Sequence, residues 1–274
     1  MRRNPFSSSA HPISPLTRGR WRRLALGCAA LIFCLAAAAQ ARDVVRDEDF
    51  FHLGVDRQVE CVVLLHGLWR TELSMKATEW KLEQEGFQVV NIGYPSLTRS
   101  IEENAVNAVQ DGVAACAALG FEQFNFVTHS LGGILVRQYL AERDIDGLHR
   151  VVMMGPPNQG SELADYVTGF GLIRDLGPEA IEQLGTGDAS IPLALGPVNF
   201  ELGVIAGNAH RRNLLPGLPE GPGDGTVSVA ETVVPGMLDF IEMPVSHTFM
   251  MWDSAVLEQV VHFLRFGRFD RGVS

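Results

Sequence analysis

Apolar and polar positions change period several times along this chain, and those changes mark its elements. Val59 to Leu65, apolar except for Glu60, is too short for a helix and typical of a strand covered on both faces. Ser74 to Glu85 has helical spacing and ends at Gly86, and Phe87 to Ile92 reads as the next strand. From Ile101 the apolar positions Ala105, Ala108, Val109, Gly112, Val113, Cys116 and Leu119 keep the 3.6-residue period until Gly120 stops them. Gln123 to Thr128 is strand-like and Leu131 to Arg143 helical. Strands are predicted over Arg150–Met154, Leu202–Ala206 and Leu238–Glu242, with a last helix over Phe249–Phe266. This alternation predicts an α/β fold, a mostly parallel central sheet covered by helices on both faces.

Two segments depart from the rhythm. Between residues 160 and 200, glycines and prolines separate short apolar pieces such as Leu163, Ile181 and Leu184, a pattern that predicts a small apolar cap inserted over a site. The other is the N-terminus. Residues 1–41 carry Arg2, Arg3, Arg18, Arg20, Arg22 and Arg23 and no acid, then the 15-residue apolar run Leu24 to Ala38, then Ala39-Gln40-Ala41. Basic region, apolar run and small-residue cleavage site describe an export signal, and the run falls short of the ~20 residues a spanning helix needs. Arg22-Arg23 lacks the preceding Ser or Thr of a strong twin-arginine signal. The reading is a signal peptide over 1–41, a mature domain over 42–274, and a periplasmic or extracellular location.

Composition then narrows the partners. The chain has 22 Lys and Arg against 32 Asp and Glu, a net charge of −10, and loss of the arginine-rich leader makes the remainder more acidic still. Such a surface argues against nucleic acid and anionic membrane. Cys28 and Cys34 lie in the leader, leaving Cys61 and Cys116, which an oxidising compartment allows to pair and which otherwise stay as two buried thiols.

The candidate chemistry sits where patterns meet. Ser130 stands between a predicted strand and a predicted helix, a place that projects its hydroxyl from the sheet edge toward free backbone N–H groups. A serine needs a base, and the base an acid to orient it; on such a scaffold they follow in the order Ser, Asp or Glu, His. Asp224 in Gly221-Pro-Gly-Asp-Gly and His247 after the 238–242 strand satisfy that order. Asp188, Asp239 and Glu242 are weaker substitutes for the acid. His129 adjoins the serine and reads as a packed neighbour; His210 precedes Asp224, His262 lies in the terminal helix, and His52 and His149 fall away from the expected loops. The oxyanion would take the N–H groups of Leu131 and of Leu68, the latter in the loop Leu65-His66-Gly67-Leu68-Trp69, with His66 bracing that loop.

His66-Gly67, Thr128-His129-Ser130-Leu131-Gly132-Gly133, Gly155-Pro-Pro-Asn-Gln-Gly160, Gly223-Asp224-Gly225 and Ser246-His247 together resemble the α/β-hydrolase superfamily, in its bacterial lipase and esterase branches. The likeness covers about Val59 to Phe266. It implies hydrolysis of carboxylic, lipid-like esters through an acyl-enzyme with no cofactor, and the residues assign no metal site. The substrate would be a small-molecule or lipid ester, with transient contact to a lipid interface. Acyl transfer or amide hydrolysis by the same three residues, and a non-catalytic binding protein on this fold, are the alternatives. One departure is Thr128, where the usual G-x-S-x-G pattern has its first glycine.

Overall fold

The computed structural model describes residues 59–169, 179–212 and 220–272. The expected signal peptide, His52 and residues 170–178 of the expected cap lie outside the described residues. Among the described residues six strands form one parallel sheet: β1 (Cys61–Leu65), β2 (Gln88–Ile92), β3 (Phe124–His129), β4 (Leu148–Met154), β5 (Leu202–Gly207) and β8 (Asp239–Met243), in the order β2-β1-β3-β4-β5-β8. A short antiparallel pair, β6 (His210–Arg212) and β7 (Glu220–Gly223), stands apart.

The sheet is covered because successive side chains alternate between two apolar faces. On one face Cys61, Val63 and Leu65 join Phe126, Val151 and Met153 under α2 (Ile101–Ala118) and α3 (Leu131–Glu142). On the other, Val62, Leu64, Val127 and Val152 meet Leu82 of α1 (Lys76–Gln84) and Val256, Val260 and Phe263 of α8 (Ser254–Phe266). Helix α2 starts where Ser100 accepts from Glu103 N–H, and buries Ile101, Ala105, Ala108, Val109 and Cys116 as its spacing predicts. The last position of that stripe differs: Leu119 is the C-cap and stays exposed.

Cys61 and Cys116 are joined by a disulfide, their Cα atoms 5.9 Å apart. It links the start of β1 to the last turns of α2. Closing a loop of 55 residues this way stabilises the fold by about 4 kcal/mol in the chain-entropy picture.

The C-terminal helix is shorter than its apolar spacing predicts. Residues Met250–Trp252 form a separate 3-10 turn, and Asp253 begins α8 by accepting from the N–H groups of Ala255 and Val256. That carboxylate cap holds Asp253 extended and divides one periodic run into two pieces.

Between β4 and β5 the described residues form three short helices, α4 (Glu162–Thr168), α5 (Glu179–Leu184) and α6 (Ile191–Ala194). Buried Arg137 of α3 ties this excursion down. Its guanidinium donates to Asn158 O and Oδ1 at 3.0 and 3.1 Å, to Pro192 O at 3.3 Å and to Gly196 O at 2.7 Å. Burial brings its pKa down to about 10, so it stays charged at neutral pH, satisfied by neutral oxygens.

Candidate active site

The strands end level with one another, Leu65 opposite Thr128 and His129 opposite Met154, so the loops that follow share one edge of the sheet. At the end of β3 the chain reverses into α3 through Ser130, whose φ of 53° and ψ of −121° are unusual for a side-chain-bearing residue. Its N–H is held by Met154 O at 2.9 Å. Helix α3 then lies so close to β1 that a Cβ on Gly132 would meet Leu65 O at 2.5 Å; only glycine fits there. The Leu131 N–H is at the first helical position, which has no carbonyl of its own helix to bond.

The loop after β1 lies against the same turn. A Cβ on Gly67 would sit 2.8 Å from His129 Nδ1 and 3.1 Å from Ser130 Cβ. His66 braces this loop: its Nδ1–H donates to Gly67 O at 2.8 Å, its Nε2 accepts from Tyr94 N–H at 3.4 Å, and its ring stacks on that of Tyr94 at 4.1 Å. The Tyr94 hydroxyl in turn donates to His66 O. Burial holds the His66 imidazole below its usual pKa, which keeps the neutral tautomer this pattern requires.

Asp224 and His247 come from separate loops and meet. His247 Nδ1 lies 2.7 Å from Asp224 Oδ2. Asp224 Oδ1 accepts from the N–H groups of Thr226 at 2.9 Å and Val227 at 2.7 Å, so both carboxylate oxygens are fixed. Asp224 is fully buried and His247 nearly so. The pair β6–β7 intervenes between β5 and Asp224, so Asp224 does not follow β5 directly. Asp239 is at the opposite edge of the sheet, at the start of β8, where Arg271 binds it; Glu242 accepts from Asn208; Asp188 is exposed.

Ser130 and His247 line one cavity of about 400 Å³. Its polar lining includes Arg70, His129, Ser161, Thr226 and Thr248, and its apolar lining Leu163, Ala164 and Val167 of α4 with Ile181 and Leu184 of α5. Leu68 and Trp69 stand at its mouth, Trp69 exposed and at φ 57°. Among the described residues no hydrogen bond joins the Ser130 hydroxyl to the His247 ring; in uncomplexed sites such contacts are often loose.

His129 has a role its position beside Ser130 did not reveal. Its Nε2–H donates to His247 O at 3.0 Å, and the two rings lie 4.6 Å apart. Burial, reinforced by the nearby His247 and Arg70, holds its pKa well below the usual value. A neutral His129 therefore supports the loop carrying His247 without adding charge beside it. Thr128 is fully buried in β3, its hydroxyl without a partner among the described residues.

No protein-family model matches this chain, and no curated protein matches it in sequence. Solved structures do match it in shape. The mature lipase BlEst2 of Bacillus licheniformis superposes with a TM-score of 0.61 at 17% identity, over 77% of this chain and 93% of that one. This is an α/β-hydrolase fold. The metagenomic carboxyl esterase MGS0156 shares the hydrolase fold at TM-score 0.57 and 20% identity, over 71% of this chain and 66% of its own. For Aspergillus fumigatus lipase B the values are 0.56 and 13%, over 76% and 52%, so this chain spans about half of that hydrolase.

Proposed function

We propose that this protein is a serine hydrolase of carboxylic esters with apolar acyl chains, Ser130 being its nucleophile. The observation that carries the reading is the 2.7 Å pairing of His247 Nδ1 with buried Asp224, in the cavity that Ser130 enters from a strained turn. In this reading Asp224 fixes the tautomer that turns Nε2 toward the serine. The Ser130 oxygen attacks the ester carbon while its proton passes to His247. The carbonyl oxygen becomes an oxyanion held by the Leu68 and Leu131 N–H groups. Collapse breaks the bond to the alcohol, which leaves with the proton from His247. Water, deprotonated by the same imidazole, then releases the acid and restores the serine. The wall from α4 and α5 would receive the acyl chain, and the lipases and esterases sharing this fold support that choice.

Export fits the same picture. The buried disulfide favours an oxidising compartment, and no helix of the described residues is long and apolar enough to cross a membrane. Exposed Trp69, Phe249 and Trp252 support transient contact with a lipid surface.

The test is labelling by a fluorophosphonate together with turnover of p-nitrophenyl esters of graded chain length. Ser130→Ala is expected to abolish labelling and to cost on the order of 10⁶ in turnover. Equal turnover by both proteins would end the proposal. Labelling of Ser130 without ester cleavage would move it to acyl transfer or amide hydrolysis.

A further inference from the structure

The acids and bases of the chain are unevenly placed around the cavity. Among the described lining residues Arg70 is the only permanently charged side chain, although acids outnumber bases in the whole sequence. Arg70 is partly buried and makes no ion pair among the described residues; its one hydrogen bond runs from Nη2 to Thr248 Oγ1 at 3.3 Å. A guanidinium has five N–H donors, so most of its binding capacity is unspent.

Apart from Glu162 of α4, whose carboxylate makes no ion pair with Arg70, the acids on the elements around the cavity are engaged elsewhere. Glu72, two residues on, turns its carboxylate to Gly93. Asp165 of α4 accepts from the N–H and hydroxyl of Thr186, and Glu231 accepts from the N–H groups of Ser228 and Glu162. Asp224 is held behind His247. A partly desolvated cation with no counter-ion among the described residues faces whatever occupies the cavity.

Its location within the cavity is specific. Arg70 follows the Leu68 loop and touches Thr248, the neighbour of His247, while the apolar wall belongs to α4 and α5. His247 is the group that protonates a departing alcohol. Resting on the ester-hydrolase reading above, we infer that Arg70 and Thr248 form an anion subsite for the alcohol half of the substrate. The preferred ester then joins an apolar acyl chain to an alcohol bearing a phosphate or a carboxylate. Guanidinium suits either anion through paired N–H donors.

Three matched esters below their micellar range test this: 1-octanoylglycerol, 1-octanoylglycerol 3-phosphate and 3-O-octanoylglycerate, with released octanoate as the readout. One anionic ester is expected to exceed the neutral one in kcat/KM by about ten- to hundredfold, carried mainly in KM. Which anion wins identifies the headgroup chemistry. The advantage should shrink as salt is raised. R70Q should bring the anionic-to-neutral ratio close to one, and R70K should retain part of it, folding being followed by near-ultraviolet circular dichroism. If R70Q does not fold, R70K and the salt series decide. A neutral ester cleaved as well as both anionic ones overturns this inference alone. So does an R70Q variant that slows all three equally, which would make Arg70 only a strut to Thr248. Failure on every ester would remove the ester reading, and this inference with it.

Discussion

His247 is fastened to Asp224 twice, by its ring Nδ1 at 2.7 Å from Oδ2 and by its backbone N–H at 3.0 Å from the Asp224 carbonyl. The backbone bond sets the distance between two loops that are 23 residues apart, and the ring bond sets the tautomer. Substitution can separate these effects. Asp224→Asn keeps the backbone bond and an oxygen for Thr226 and Val227, yet places an amide against the imidazole. Turnover is expected to fall by about 10⁴ with a nearly unchanged melting curve, as for a wrong-tautomer histidine. A loss below tenfold would remove Asp224 from the relay.

Close backbone approach makes a second prediction. Gly132→Ala would drive a methyl into Leu65 O, a backbone atom that cannot swing aside. Destabilisation of at least about 2 kcal/mol is expected in urea unfolding. Gly67→Ala meets side chains instead, His129 Nδ1 and Ser130 Cβ, and should displace the Leu68 loop. For that variant the expected loss is about 10²-fold in turnover with the fold retained, checked by single-turnover kinetics alongside thermal melting.

Arg137 supplies a third. Arg137→Met removes donors from the buried carbonyls of Asn158 and Pro192 and the part-buried one of Gly196 at once. About 3 kcal/mol of stability should be lost, and KM for long-chain esters should rise as α4 and α5 loosen over the apolar wall. A variant with wild-type urea midpoint would show that these oxygens find other donors.

The buried histidines predict how stability follows pH. His66 and His129 both have folded pKa values below the unfolded 6.5, each mainly through burial. Below 6.5 the unfolded chain therefore binds more protons than the folded one. The stabilisation from neutral burial is complete above pH 6.5 and is lost as pH falls from there toward the folded values, at up to about 1.4 kcal/mol per histidine per unit. Urea midpoints between pH 8 and pH 5 should fall accordingly, and His129→Gln should flatten the slope. An unchanged slope in that variant would mean that His129 titrates normally.

Much of this arrangement is legible from the chain because its signals are local. The unbroken apolar run at β1, the 3.6-residue period of α2 and the serine between strand and helix each lie within one stretch of sequence. The same locality explains what was not legible. Residues 249–266 read as one helix because apolar period alone does not register that Asp253 spends its carboxylate on the next turn. The pair β6–β7 is too short, and β7 too glycine-rich, to show alternation. The pairing of Cys61 with Cys116 depends on how α2 packs across β1, and the bond from His129 to the His247 carbonyl joins residues 118 apart. Arg70 was within reach: it is two residues past Leu68, directly after the loop assigned to the oxyanion.

The Cys61–Cys116 bond also bears on how the molecule survives damage. It closes a covalent ring that holds β1, the Leu68 loop, β2 and α2, including the exposed turn Leu97-Thr98-Arg99. A protease that nicks that turn leaves both fragments attached, with the strands still hydrogen-bonded side by side. Clipped molecules would stay covalently joined until a thiol reduced that bond.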